Sequence, residues 1–199
     1  MHVLASKRMS GMVLEGSERE LLEACRRGEP EAFRELFETY KNKVYSVALR
    51  FSGNPATAMD IAQDTFVKLF ACIGDFRGDS AFETWVYRLV ANRCLDQKRK
   101  YGRLIPMAKE LLATLRAPDN ALTELIDAEK RGRVRSAVDR LRPDLRIVIA
   151  LRYSQGMSYD QIGEVLGVSP GTVASRLFRA HKTLERSLAH LVYGEGGRV

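Results

Sequence analysis

Residues 167–181 read GVSPGTVASRLFRAH, and three kinds of side chain in that stretch could do chemistry on a nucleic acid. Arginine bonds guanine edges, an apolar ring meets the thymine methyl, and a Ser hydroxyl bonds base edges or phosphate oxygens. Stepping about 100° per residue along a helix, Val173, Leu177, Ala180 and Leu184 fall in one stripe, which must be the buried side. Gly171, Ser175, Phe178 and Lys182 lie opposite, with Arg179 at the edge and Arg176 flanking the stripe. An aromatic among Ser, Arg and Lys on the wet face suits a major groove. The bland alternative is an ordinary two-helix corner with a solvated basic face. Cap, turn, stripe and basic outer face occurring together weigh against it.

The elements that would hold these residues are legible locally. Ser169-Pro170 starts a helix, since a Ser oxygen caps free N–H groups and Pro is tolerated at the first helical position. Upstream, SYDQIGEVLG opens on Ser158 with Gln161 three residues later, a capping-box pattern. Ile162, Val165 and Leu166 share one face, and Gly167 suits a left-handed C-cap. Two short helices joined by Gly167-Val168-Ser169 make a helix-turn-helix signature.

Two further stretches carry polar chemistry. AMDIAQDTFVKLFACI is amphipathic, with Ile61, Ala62, Phe66, Leu69 and Ile73 facing a core. Asp60, Gln63, Asp64 and Lys68 share another face, because positions three or four apart are neighbours. Alone, that face reads first as solvated surface. In DFRGDSAFETWVYRLVANRCLDQKRK a Gly-Asp-Ser loop precedes a helix with Trp85, Tyr87, Arg88, Asn92 and Arg93, then a Lys-Arg-Lys end. Aromatics, amides and cations beside a polar loop can hold unstacked bases, although Trp85 by itself fits a core better than a base platform.

The charge distribution supports a polyanionic partner. The 199-residue chain carries a formal net charge of +7, which suits nucleic acid. Residues 129–190 hold twelve Lys/Arg against six Asp/Glu, and residues 29–83 hold six against nine. Between Arg88 and Arg103 the balance swings back to six basic against one acidic. Such blocks imply surfaces with different partners. Cys25, Cys72 and Cys94 are odd in number and lack a C-x-x-C spacing, so buried thiols in a reducing cytoplasm are expected. His2, His181 and His190 form no ligand motif with them, and neither a metal nor another cofactor is expected. No apolar run approaches membrane-spanning length, and MHVLASKRMSGMVLEG lacks a signal peptide's continuous apolar stretch.

Gly and Pro punctuate the chain at RRGEP, SGNP, GDFRGDS and APDN, and no stretch alternates as a strand. The expected fold is all-α: two small helical domains joined by a flexible linker, the second containing the helix-turn-helix. Helices are expected over Glu18–Arg27, Glu31–Phe51, Ala56–Ile73 and Ala81–Tyr101, then Asp127–Leu141, Pro143–Tyr153 and the helix-turn-helix pair. The domain boundaries read 1–17 disordered tail, 18–101 first domain, 102–126 linker, 127–192 second domain and 193–199 flexible tail.

Over residues 18–192 the chain resembles the extracytoplasmic-function (ECF) sigma factors of bacterial RNA polymerase, small members of the sigma-70 family. EAFRELFETY is similar to the family's opening helix, DIAQDTFVKLF to its core-polymerase-binding helix, and FRGDSAFETWVYRLVANRCLDQKRK to its −10-reading and melting segment. LRYSQGMSYDQIGEVLGVSPGTVASRLFRAHKTL resembles its −35-reading helix-turn-helix. By resemblance, Asp60, Gln63 and Asp64 dock on core RNA polymerase. Phe76, Arg77, Gly78, Asp79, Ser80 and Ala81 take a flipped base of the −10 element, with Arg88, Asn92, Arg93, Lys98 and Arg99 holding the strand. Ser175, Phe178 and Arg179 read the −35 element, while Arg176 and Lys182 meet phosphate. Many members carry Arg where this sequence has Ala174, so one −35 contact is expected to be missing. The resemblance further implies promoter DNA as a partner, an anti-sigma factor as a common one, action in the cytoplasm at the nucleoid, and no catalytic site. A response regulator or quorum-type activator also ends in such helices, but it needs a strand-rich receiver or ligand-binding domain, and residues 18–101 read as helices. A DNA-processing enzyme needs a metal-binding carboxylate cluster or a nucleophile–base set, and Asp60 with Asp64 is only a helix-face pair.

Overall fold

The computed structural model describes residues 17–101 and 132–193, with side chains outside 98–101 and 190–193. Residues 1–16 of the expected 1–17 tail, the linker over 102–126 and the side chains of Lys98 and Arg99 lie outside the described residues, while Ser17 is not tail but the first residue of a helix. Among those described there are helices and no strand.

Pro30, Pro55, Pro143 and Pro170 each start a helix, and left-handed Gly53, Gly156 and Gly167 each stop one. Helix α1 covers 17–26. Helix α2 spans Pro30–Ser52 and stops at Gly53, whose φ of +65° lets its N–H return to the Leu49 carbonyl. Helix α3, Pro55–Cys72, starts on Asn54, whose side chain accepts from the Thr57 amide. A 3-10 turn over Ile73–Asp75 and a loop lead into α4, Phe82–Tyr101. In the second half, α5 covers 132–139, followed by α6 (Pro143–Gln155), α7 (Tyr159–Leu166) and α8 (Pro170–Tyr193).

Helices α2, α3 and α4 pack around Leu36, Val44, Val47, Ile61, Leu69, Val86 and Val90, all buried. Each such side chain contributes about 1.5–3 kcal/mol by leaving water. An aromatic ladder of Phe33, Phe70, Phe66 and Phe37 runs along the α2–α3 seam. In the second half α6 is buried on every side, from Leu145 through Leu151. It packs against α8 and also against α2 of the first half, while α7 packs against α4. The core residues of both halves therefore form one cluster.

Polar side chains also cross that junction. Gln155, the last residue of α6, accepts from the Tyr87 hydroxyl at 2.7 Å and donates to Ser46 Oγ at 2.6 Å. Its amide also lies 3.4 Å from the Lys43 carbonyl. Arg146 is only 4% exposed. Its guanidinium donates to the carbonyls of Phe51 (3.3 Å) and Leu141 (3.2 Å) and to Asp139 (3.1 Å), and it covers the Phe51 ring. Phe51 stands in the last turn of α2, where carbonyls lack intrahelical partners. An arginine of the second half thus caps a helix of the first. Burial pulls the Arg146 pKa below its ordinary value, and Asp139 opposes that shift.

Candidate nucleic-acid and polymerase interfaces

The helix-turn-helix is built as its sequence indicates. Ser158 accepts from the Gln161 amide while the Gln161 side chain accepts from the Ser158 amide, a closed capping box. Helix α7 ends at Gly167, φ +65°, and the Ser169 hydroxyl accepts from the Thr172 amide at the start of α8. Gly163 is a feature that sequence reading passed over. A Cβ there would stand 2.7 Å from the Val168 carbonyl, so only glycine lets α7 approach the turn this closely.

Val173, Leu177 and Ala180 are buried and Leu184 is half-buried, leaving the opposite face of α8 to solvent. There Phe178 is 66% exposed, with the Lys182 ammonium 6.0 Å from its ring centre. Ser175, Arg179 and Lys182 are exposed beside it and Arg176 is half-buried. The Arg179 guanidinium donates back to the Ser175 carbonyl at 3.2 Å, which lays the side chain along the helix. The expected recognition residues therefore share one outer face, and Phe178 is not packed against another helix.

On α3, Asp60, Gln63 and Asp64 are all exposed, as are Met59, Val67 and Lys68. None of the three polar residues pairs with another described side chain. Carboxylates ringed by exposed Met59 and Val67 form a surface suited to a basic partner with apolar contacts.

The loop from Phe76 to Ala81 stands at the mouth of α4. Gly78, at φ +81°, supplies a backbone conformation that other residues resist. Phe76 packs on Phe82 and Trp85, so Trp85 belongs half to the core and half to the loop wall. Arg77, Gly78, Asp79 and Ala81 are exposed, Ser80 is half-buried, and Asn92 and Arg93 continue along α4 as exposed and half-buried residues. Arg88 differs from these. Its Nε donates to the Glu164 carbonyl of α7 at 3.1 Å, and its guanidinium lies 3.9 Å from the Glu164 carboxylate. The second half thus occupies a cation expected to hold a strand.

Comparison with known proteins identifies the whole arrangement. Residues 36–104 match the family described as Sigma-70 region 2, and residues 131–184 match Sigma-70, region 4. The RNA polymerase sigma-H factor of Pseudomonas aeruginosa is 32% identical over 190 residues, covering 91% of this chain and 98% of that protein.

The chain belongs to the ECF sigma factors.

The ECF RNA polymerase sigma-E factor of Haemophilus influenzae is also 32% identical, over 86% of this chain and 95% of its own. Among solved structures, the sigma factor RpoE in complex with the anti-sigma factor NepR from Bartonella quintana is similar with a TM-score of 0.59 and 25% identity. That similarity covers 79% of this chain and 96% of RpoE. This chain is accordingly an alternative sigma factor that directs promoter recognition in transcription initiation. The all-α fold with a helix-turn-helix in its second half agrees with the expectation from sequence.

The sigma factor has features that sequence reasoning did not find. The Arg26 guanidinium donates to the Phe76 carbonyl, tying α1 to the loop fifty residues away. The Gln155 and Arg146 contacts likewise bridge 68 and 95 residues. Among the described residues no His/Cys/Asp/Glu group could hold a metal, and no helix is long and apolar enough to cross a membrane.

Proposed function

We propose that the exposed faces just described divide promoter recognition among themselves. The α3 face of Asp60, Gln63 and Asp64 docks on core polymerase. The loop Phe76–Ala81 takes an extruded base of the −10 element, and Arg88, Asn92, Arg93, Lys98 and Arg99 hold the melted strand. Extrusion costs a few kcal/mol, which the loop contacts and the polymerase must offset. Ser175, Phe178 and Arg179 read the −35 element in the major groove, with Arg176 and Lys182 on phosphates. The observation that carries this reading is the solvent-facing Phe178, set among Ser175, Arg179 and Lys182 on a doubly capped helix-turn-helix. The protein works in the cytoplasm at the nucleoid and catalyses no reaction itself. An anti-sigma factor is a further partner, supported by likeness to an RpoE held by NepR.

Residues 18–101 and 127–192 act as the two promoter-reading units. Their elements lie tens of ångströms apart on B-DNA, at about 3.4 Å per base pair. The contact between Arg88 and Glu164 must therefore break when both elements are bound. Run-off transcription with core polymerase tests the assignment. Asp60→Arg with Asp64→Arg should abolish polymerase capture while the protein melts as before, because like charges at an interface cost several kcal/mol. Undiminished capture would overturn the α3 assignment.

A further inference from the structure

The loop that would take the extruded base forms only half of a cavity. Helix α1 forms the other half. The space is about 490 Å³, within the range of small-ligand sites and roomy enough for one nucleotide. Phe76, Gly78 and Ser80 line one side, and Glu18, Leu22 and Arg26 line the other. The Arg26–Phe76 hydrogen bond fastens the two walls together.

The chemistry of the α1 wall is selective. Glu18 is half-buried, and one of its carboxylate oxygens accepts from the Tyr40 hydroxyl at 3.2 Å. Tyr40 is buried and stacks edge-on against Phe82, so that hydroxyl has a fixed position. Glu18 pairs with no described cation. Arg26 is engaged by the Phe76 carbonyl, and Arg19 pairs with Glu23. Glu18 lines the cavity and its second carboxylate oxygen has no described partner, so it is available as an acceptor there. Arg77 lies on the loop wall, makes no ion pair with a described residue, and suits a phosphate.

A carboxylate accepts hydrogen bonds and cannot donate them. An extruded base is read on its Watson–Crick edge. Cytosine and adenine present an amino group there, and guanine presents an amino group beside a ring N–H. Thymine presents one N–H flanked by two carbonyl oxygens, which repel a carboxylate.

We infer that Glu18, held by Tyr40, is a specificity-determining residue of this cavity, which accepts an extruded base bearing an amino group and rejects thymine. The inference rests on the proposed reading of the loop as the base-binding site. Its mark is a discrimination at one −10 position that tracks the Glu18 carboxylate.

The test is transcription by core polymerase and the full chain from a promoter library randomised across the −10 element. Wild type should deplete thymine about tenfold at one position, a single base-edge discrimination. Glu18→Gln carries a donor as well as an acceptor, so it should erase most of that depletion and leave preferences elsewhere unchanged. Glu18→Asp keeps the charge and should retain part of it, which covers the case in which Glu18→Gln melts early. Identical base preferences in wild type and Glu18→Gln would overturn the inference, as would a loss spread evenly over all positions. Transcription by wild type with no thymine bias anywhere would overturn it while leaving the sigma-factor reading intact. Failure of wild type to initiate from any library member would overturn both.

Discussion

Gln155→Leu tests whether the closed arrangement of the two halves is a regulated equilibrium. The substitution keeps the side chain's bulk and removes its hydrogen bonds to Tyr87 (2.7 Å) and Ser46 (2.6 Å). The 3.4 Å approach to the Lys43 carbonyl adds little. Ser46 retains its own bond to that carbonyl, and Tyr87 retains a contact with Glu83 at 3.3 Å. Neither hydroxyl is left orphaned. Two net hydrogen bonds at about 0.5–1.5 kcal/mol each give about 1–3 kcal/mol. At 1.4 kcal/mol per decade, the open form gains about 5- to 150-fold. The packing of α6 on α8 within the second half stays, so the shift should occur without unfolding. Dyes on Gly74→Cys and Glu185→Cys report the separation, because the native cysteines are buried. Energy transfer should fall in Gln155→Leu, and core polymerase should bind more tightly as the competent fraction rises. If transfer and polymerase affinity are unchanged while the melting temperature drops, Gln155 serves only the fold and the closed state regulates nothing.

Further outcomes are expected for the −35 face and for stability at high pH. On a −35 mutant panel, Arg179→Ala should lose about 1–3 kcal/mol of discrimination at one position, and Lys182→Ala should reduce the salt slope by about one unit for every sequence. Phe178→Ala should lose sequence preference without altering that slope, and a melt several degrees lower with preference retained would refute its groove role. Stability should also decline from about pH 9 upward. Burial raises the Cys94 thiol above its ordinary 9.0 and the Tyr40 and Tyr87 phenols above 10.0. The unfolded chain then ionises first while the folded chain keeps its protons, so each rise in pH favours unfolding. A urea midpoint that stays flat to about pH 11 would contradict this.

The parts legible in the sequence were those fixed by near neighbours. The Ser158–Gln161 box, the Gly167 stop and the Val173–Leu177–Ala180 stripe each depend on residues within a turn or two, and each formed as read. The exposure of Asp60, Gln63 and Asp64 followed from the same periodicity. What stayed hidden depends on tertiary packing. No spacing rule links Arg26 to Phe76, Gln155 to Tyr87 or Arg146 to Phe51, because each pair meets only after separate helices dock. One signal was available and passed over. The run from Leu145 to Leu151 carries almost no polar face, the mark of a helix covered on all sides. A second half standing apart from the first has too few walls to cover it.

That helix has a consequence for the life of the molecule in the cell. Sandwiched between α2 and α8, α6 loses a wall whenever the halves part, and Arg146 loses the carbonyl it caps on α2. An opened, unaccompanied chain shows apolar surface that proteases and chaperones act upon. The sigma factor therefore persists either folded on itself or in the company of something that replaces the missing wall. Supply of that company sets how long each opened copy survives.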